Sequence, residues 1–183
     1  MANAAENSGG RSGIPWRIIG WGTAALLLLL PLVANAPWTA SDFLFMGVLL
    51  GSVGLAFEFI VRKSGSLAYG SGAALALLAA FLTVWVNVAV GMIGSEDNPL
   101  NLMFGGVLCV ALIGAILARL EPDGMTRAMV VTAIAQGVAG SVGLSTDVRG
   151  AVLSMAFAGL WLLAAALFRK AARDQTPASA IKA

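Results

Sequence analysis

The chain has 183 residues, of which 59% are hydrophobic and only 11% charged, and its mean hydropathy is +0.90; a water-soluble core of this size cannot hide that much apolar surface, so lipid is the expected solvent. The absence of histidine excludes imidazole metal ligation and ordinary histidine acid–base catalysis, and the single cysteine, Cys109, excludes an intramolecular disulfide or a thiolate cluster. The net charge of +2 fits topology-setting residues at helix ends, so neither a nucleic-acid partner nor a cofactor is expected.

A membrane-spanning helix needs about 20 apolar residues. Six stretches meet that length, at about 18–36, 43–61, 67–94, 102–118, 128–144 and 150–168. The expected fold is therefore an all-α integral membrane protein, a six-helix bundle over residues 16–170, with residues 1–15 and 171–183 as disordered cytoplasmic tails.

In the first stretch, Arg11 and Arg17, the leucine run Leu26–Leu30 and the triplet Ala34-Asn35-Ala36 resemble a secretory signal with an A-x-A cleavage site. Against cleavage, the apolar run exceeds a typical signal core and Pro37 follows the cut. Retention gives six helices and removal five. Pro31 lacks a backbone donor and can bend the first helix without further consequence.

The second stretch carries Gly47 and Gly51 as a GxxxG step, with Gly54 extending it, and the fifth repeats small residues at Ala133, Gly137 and Ser141, with Gly140 and Ala139/Gly143 on neighbouring ridges. Lipid provides little hydrophobic drive for helix association, so small residues that let backbones approach are expected packing faces. They serve the bundle itself or a homodimer. Cys109, in LMFGGVLCVALIGAIL, reads as a core residue. The third stretch is expected to start at an interfacial or frayed Tyr69-Gly70-Ser71-Gly72. Helices two, four and six share a faint pattern, compatible with three repeated hairpins or with composition alone.

Orientation follows from the basic residues. With a cytoplasmic amino terminus, Arg11, Arg17, Arg62, Lys63, Arg119, Arg127, Arg169, Lys170, Arg173 and Lys182 lie inside and only Arg149 outside. Both termini are expected inside. Trp16, Trp21 and Trp38 suit the interfacial belts, while Trp85 and Trp161 lie deeper, packed between helices.

Polar residues within spans are costly and therefore candidates for function. Glu58 reads either as an i to i+4 partner of Arg62 or as a buried proton or cation site. Asn87 and Gln136 read either as amides bridging helices or as contacts for a transported solute. Thr83 and Ser154 can bond back to their own helices. The link SEDNPLN gathers Glu96, Asp97, Asn98 and Asn101; it reads as a solvated turn or, short of ligands, as a cation loop. Asp42, or Ser41 beside it, is the expected cap of the second helix.

The phrases WTASDFLFMGVLLGSVGLAFEF, VWVNVAVGMIGSEDNPLNLMFGGV and RAMVVTAIAQ, with a last helix ending LWLLAAALFRKAAR, resemble a group of small bacterial inner-membrane proteins of uncharacterised activity. The resemblance spans most of residues 16–173 and is most specific at WVN and SEDNPLN. It implies inner-membrane location and six helices, and it assigns no role to any residue. Three functional classes stay open: a non-enzymatic binding or assembly subunit of an envelope complex with a membrane-protein partner or a second copy, a small transporter using Glu58, Asn87 and Gln136, and an intramembrane enzyme. The last lacks a serine–histidine pair, paired intramembrane aspartates and an HExxH helix.

Overall fold

A computed structural model describes residues 16–180, which are 84% helical and contain no strand. The helices are α1 (Trp16–Val33), α2 (Ala40–Val61), α3 (Leu67–Ala89), α4 (Leu102–Leu117), α5 (Pro122–Val142) and α6 (Val148–Ala180). A 3-10 turn, Pro99–Asn101, precedes α4, and another, Gly143–Ser145, follows α5. Among the described residues, α2 to α6 are long and apolar enough to cross a membrane, and α1 is a shorter apolar helix. This is the build of a multi-pass membrane protein.

The chain folds as two compact units, one ending at Gly54 and the other starting at Leu55. In the first unit, α1 stops where Asn35 enters the left-handed region (φ 50°). The Ala36 amide donates to the Pro31 carbonyl and the Asn35 amide to that of Leu32, the double closure of a Schellman cap. The triplet that resembles a cleavage site is thus the C-cap of α1. The start of α2 is equally explicit. Thr39 is its N-cap: the Asp42 amide donates to Thr39, and Asp42 Oδ2 accepts from the Thr39 amide at 2.7 Å and hydroxyl at 2.8 Å. Trp38 packs edge-on against Phe43 with ring centroids 5.2 Å apart. Capping box and hydrophobic staple coincide, so Asp42 closes the box from the third helical position and is not the cap itself.

Within the same unit, a Cβ at Gly47 would lie 3.7 Å from Leu28, and one at Gly54 would lie 3.1 Å from the Trp21 indole; Gly51 meets nothing within 4 Å. The pairs are two helical turns apart on both helices and run in opposite senses. The face that α2 turns to α1 is Gly47–Gly54 and not the Gly47–Gly51 step.

In the second unit, α5 packs against α4 on one side and α6 on the other, and α6 packs against α3. The seam is built of alanine with a few large anchors. Tyr69, Ala73 and Ala76 of α3, Met125, Ala128 and Met129 of α5, and Trp161, Ala164 and Phe168 of α6 are buried in one cluster. A Cβ at Gly114 would sit 2.9 Å from that of Ala128, and one at Gly124 would sit 2.7 Å from that of Ala118, so α4 and α5 nearly touch by their backbones. Tyr69 donates its hydroxyl to the Leu120 carbonyl at 2.6 Å and packs edge-on against Phe168. The expected frayed start of α3 is instead an anchor: Ser66 caps it, and Tyr69 and Gly72 are buried. Trp161 is buried between helices as expected, whereas Cys109 is exposed on α4, which corrects its core assignment.

Three boundaries depart from the sequence reading. α3 ends at Ala89 and not at 94, because Gly91 and Gly94 adopt positive φ of 77° and 71°. α5 starts six residues early, at Pro122, since proline at the first helical position and Asp123 in the first turn favour a helix in polar sequence. α6 continues to Ala180 through residues read as a tail. Ala171 and Ala172 are buried, Lys170 pairs with Asp174 at 3.5 Å, and Gln175 reaches the Ser64 hydroxyl at 3.5 Å, contacts that hold the extension helical. The amino-terminal tail, 1–15, lies outside the described residues.

Candidate functional site

The most highly connected polar cluster joins the α3–α4 connection to the start of α6. Asn101 is buried, and its Oδ1 accepts the amides of Met92 (3.1 Å) and Ile93 (2.9 Å) while its Nδ2 donates to the Ser95 carbonyl (2.7 Å). One carboxamide thereby satisfies three backbone groups of a loop that has left its helix. Asp147 completes the arrangement: Oδ2 accepts the Gly94 amide at 2.8 Å and Oδ1 accepts the Gly150 amide at 3.1 Å, so the residue caps α6 and tethers the loop together. The Gly94 amide, then the Gly150 amide, hold its carboxyl below the ordinary carboxylate range, with Arg149 assisting and desolvation opposing. Gly150 is the closest approach, since a Cβ there would overlap the Met92 carbonyl oxygen.

Of the residues singled out in SEDNPLN, Asn98 caps the 3-10 turn by accepting the Leu100 amide at 3.0 Å, and Glu96 and Asp97 are exposed. The chain does not gather Glu96, Asp97 and Asp147 into a cation cage; among the described residues no group of three histidine, cysteine or acidic side chains is placed to hold a metal.

The second polar region is the α5–α6 contact. Gln136, Ser154 and Thr132 are fully buried. Gln136 Nε2 donates to Ser154 Oγ at 3.0 Å, and Ser154 Oγ donates back to the Gln136 carbonyl at 3.0 Å. Gly140 permits this closeness, because a Cβ there would overlap the Ser154 hydroxyl. The residues that meet Ser154 of α6 are thus Gln136 and Gly140, on a ridge beside the expected Ala133–Gly137–Ser141, while a Cβ at Gly143 would instead meet Ile93 at 3.1 Å. Ala133 is buried, Gly137 is half-buried and Ser141 is exposed, its hydroxyl donating to the Val138 carbonyl. Gln136 is a bridging amide, one of the two expected roles. Asn87 instead bonds back to its own helix, Nδ2 donating to the Thr83 carbonyl at 2.6 Å, as Thr83 does to Ala79. Gln136 Oε1, Asn87 Oδ1 and Trp161 Nε1 are buried atoms with no hydrogen-bond partner among the described residues.

Glu58 is buried and lies 3.7 Å from the exposed Arg62 guanidinium, the i to i+4 pair read from the sequence. Sequence reasoning placed Asn101 in the SEDNPLN turn, Tyr69 at the start of α3 and Gly140 on a neighbouring ridge without finding their contacts, and it assigned no structural role to Asp147 or Gly150. Asp147 had a visible signal, an aspartate immediately before an apolar run with a glycine three residues on; Asn101 had none, because its partners are the amides of a loop whose path depends on Gly91 and Gly94.

No family model, curated protein or solved structure matches the chain.

Proposed function

We infer that the protein is a polytopic bacterial inner-membrane protein with six crossings, α1 being the sixth, and with both termini in the cytoplasm, acting as a non-enzymatic binding or assembly subunit of the cell envelope. Residues such as Leu44, Leu55, Phe59, Leu112, Ile116 and Val138 are exposed along the long helices, a surface that lipid solvates and water does not. The lysine and arginine asymmetry supports the orientation, and the eighteen residues of α1 give about 27 Å of helix at 1.5 Å per residue, close to the hydrocarbon thickness of about 30 Å.

The observation that carries the subunit reading is how the intramembrane amides are used. Gln136 joins α5 to α6 and Asn87 bonds within α3, so these polar groups serve packing and the α3–α4 connection is a rigid, tethered surface. Gentle extraction of the tagged protein from its native membrane, followed by intact mass measurement, tests this: a stoichiometric partner absent from a tagged six-helix control is the expected result, and a lone monomer overturns it.

A second reading, a small ion-coupled permease, is favoured by the unpartnered buried atoms of Gln136, Asn87 and Trp161 together with the buried carboxylate of Glu58. In that case Glu58→Gln abolishes proton-coupled flux in reconstituted vesicles, and unchanged flux removes the reading.

A further inference from the structure

Two buried atoms of the second unit are chemically complementary, and each lacks a partner. Trp161 of α6 and Gln136 of α5 are 1% and 0% exposed. The indole Nε1 can only donate a hydrogen bond and the carboxamide Oε1 can only accept one, and neither has a partner among the described residues. An unmade bond at this depth is costly, because apolar surroundings offer no substitute. Contacts between the helices put the two side chains at neighbouring levels of the α5–α6 seam. Gln136 is fixed by its exchange with Ser154, and Trp161 shares a buried cluster with Ala133 and Met129, which lie one and two turns before Gln136 on α5. On α6, Trp161 stands two turns beyond Ser154 on the same face, and a long helical side chain leans back toward the amino terminus of its helix, here toward Ser154. The cluster around Trp161 also includes Ala76 and Ala79 of α3 and Ala164 of α6, whose side chains bring no polar atom. Thr132, one turn before Gln136, is fully buried and gives its hydroxyl hydrogen to the Ala128 carbonyl at 2.9 Å, so its oxygen is still able to accept.

One donor and two acceptors among apolar side chains suit a guest that accepts one hydrogen bond and donates two. We propose that the α5–α6 seam holds an internal water molecule, which accepts from Trp161 Nε1 and donates to Gln136 Oε1 and to the Thr132 hydroxyl oxygen. The indole N–H turns away a cation, which needs oxygens on every side. The proposal goes beyond both functional readings and needs only the packing of α5 on α6. It gives the two orphan atoms a structural use, so that they require no transported solute.

The test uses the full chain purified in mild detergent and given a short X-ray pulse, which turns a bound water into a hydroxyl radical that oxidises the side chain beside it. Trp161 is oxidised despite its burial, whereas Phe168, equally buried and without a polar side-chain atom, is not. Gln136→Leu removes one acceptor and lowers Trp161 oxidation about fivefold, the weight of one hydrogen bond. Ser154→Ala breaks the exchange with Gln136 but keeps both orphan atoms, and it leaves the oxidation unchanged. A melting curve taken before the pulse shows which variants are folded; if Gln136→Leu is not, Thr132→Val asks the same question at the second acceptor and lowers the oxidation by a similar factor. Trp161 as unreactive as Phe168 overturns the water. So does oxidation that persists in the folded acceptor variant, since the radicals then come from bulk solvent, and so does an equal fall in Ser154→Ala, which assigns the effect to altered packing.

Discussion

α2 and α6 are equally hydropathic over their best spanning windows, yet 6% of that window is buried in α2 and 44% in α6; α5, less hydropathic than either, also reaches 44%. Among water-soluble helices the most apolar would be the most buried. Here the order breaks because lipid is as good a solvent for leucine as another helix is, so burial goes to helices whose small residues and hydrogen bonds reward close approach. α5 and α6 have Gly140 against Ser154 and the Gln136–Ser154 exchange; α2 has Gly47 and Gly54 against Leu28 and Trp21, and leaves Gly51 open.

If that contrast is right, substitutions should hurt where backbones touch and be ignored where they do not. The largest effect is expected at Gly150→Val, whose added carbons run into the Met92 carbonyl and the Asp147 carboxylate. A loss of about 3 kcal/mol would show as a large fall in the melting temperature of the detergent-purified protein, and a wild-type melt would mean that loop and helix are not in contact. Asn101→Ala comes next, since it strands the Met92 and Ile93 amides in a buried loop. The expected cost is about 2 kcal/mol, with amide exchange accelerated at those two positions before the helices open.

Asp147→Asn should cost less than Asn101→Ala and should do so in a pH-dependent way. The folded carboxyl is held below its ordinary value, so its stabilisation is fully present above the unfolded value of about 3.9 and is lost as pH falls through the lower folded value. The gap in melting temperature between wild type and variant should therefore be level from pH 7 to about 5 and close only in stronger acid. A gap that closes near neutrality would assign the dependence to another group. Ser154→Ala removes one interhelical exchange and is expected to cost about 0.6 kcal/mol, visible as a small shift in melting temperature. Gly51→Ala, facing open space on α2, should stay within about 0.5 kcal/mol of wild type; a larger loss would show that something covers this face of α2.

Much of the helical organisation could be read from residue order. Apolar length placed the long helices, and α4 began within a residue of its expected start. Caps were legible in type more than in place: Asp42 was assigned to the start of α2, but the box needs Thr39 to receive the amide and Asp42 to return the bond. The end of α3 was missed because its residues stay apolar through Ile93, and only the positive φ of Gly91 takes Met92 and Ile93 out of the helix and into a second buried cluster. The same loop decided the site. Glu96 and Asp97 drew attention by their charge, while Asn101 and Asp147 hold the structure because they sit next to amides that no helix could satisfy.

What the amino-acid order determined by itself is the solvent-compatible class, the long apolar helices and the local stop signals, since these depend on apolar length and on side chains within one turn of the backbone they bond. Which ridge of α5 meets α6, that Gly54 and not Gly51 faces α1, and that Asn101 and Asp147 gather the loop amides were decided only in the tertiary structure. In a membrane the faces of a helix differ little in hydropathy, so which face is buried depends on how nearly two backbones can approach, and that is a property of pairs of helices.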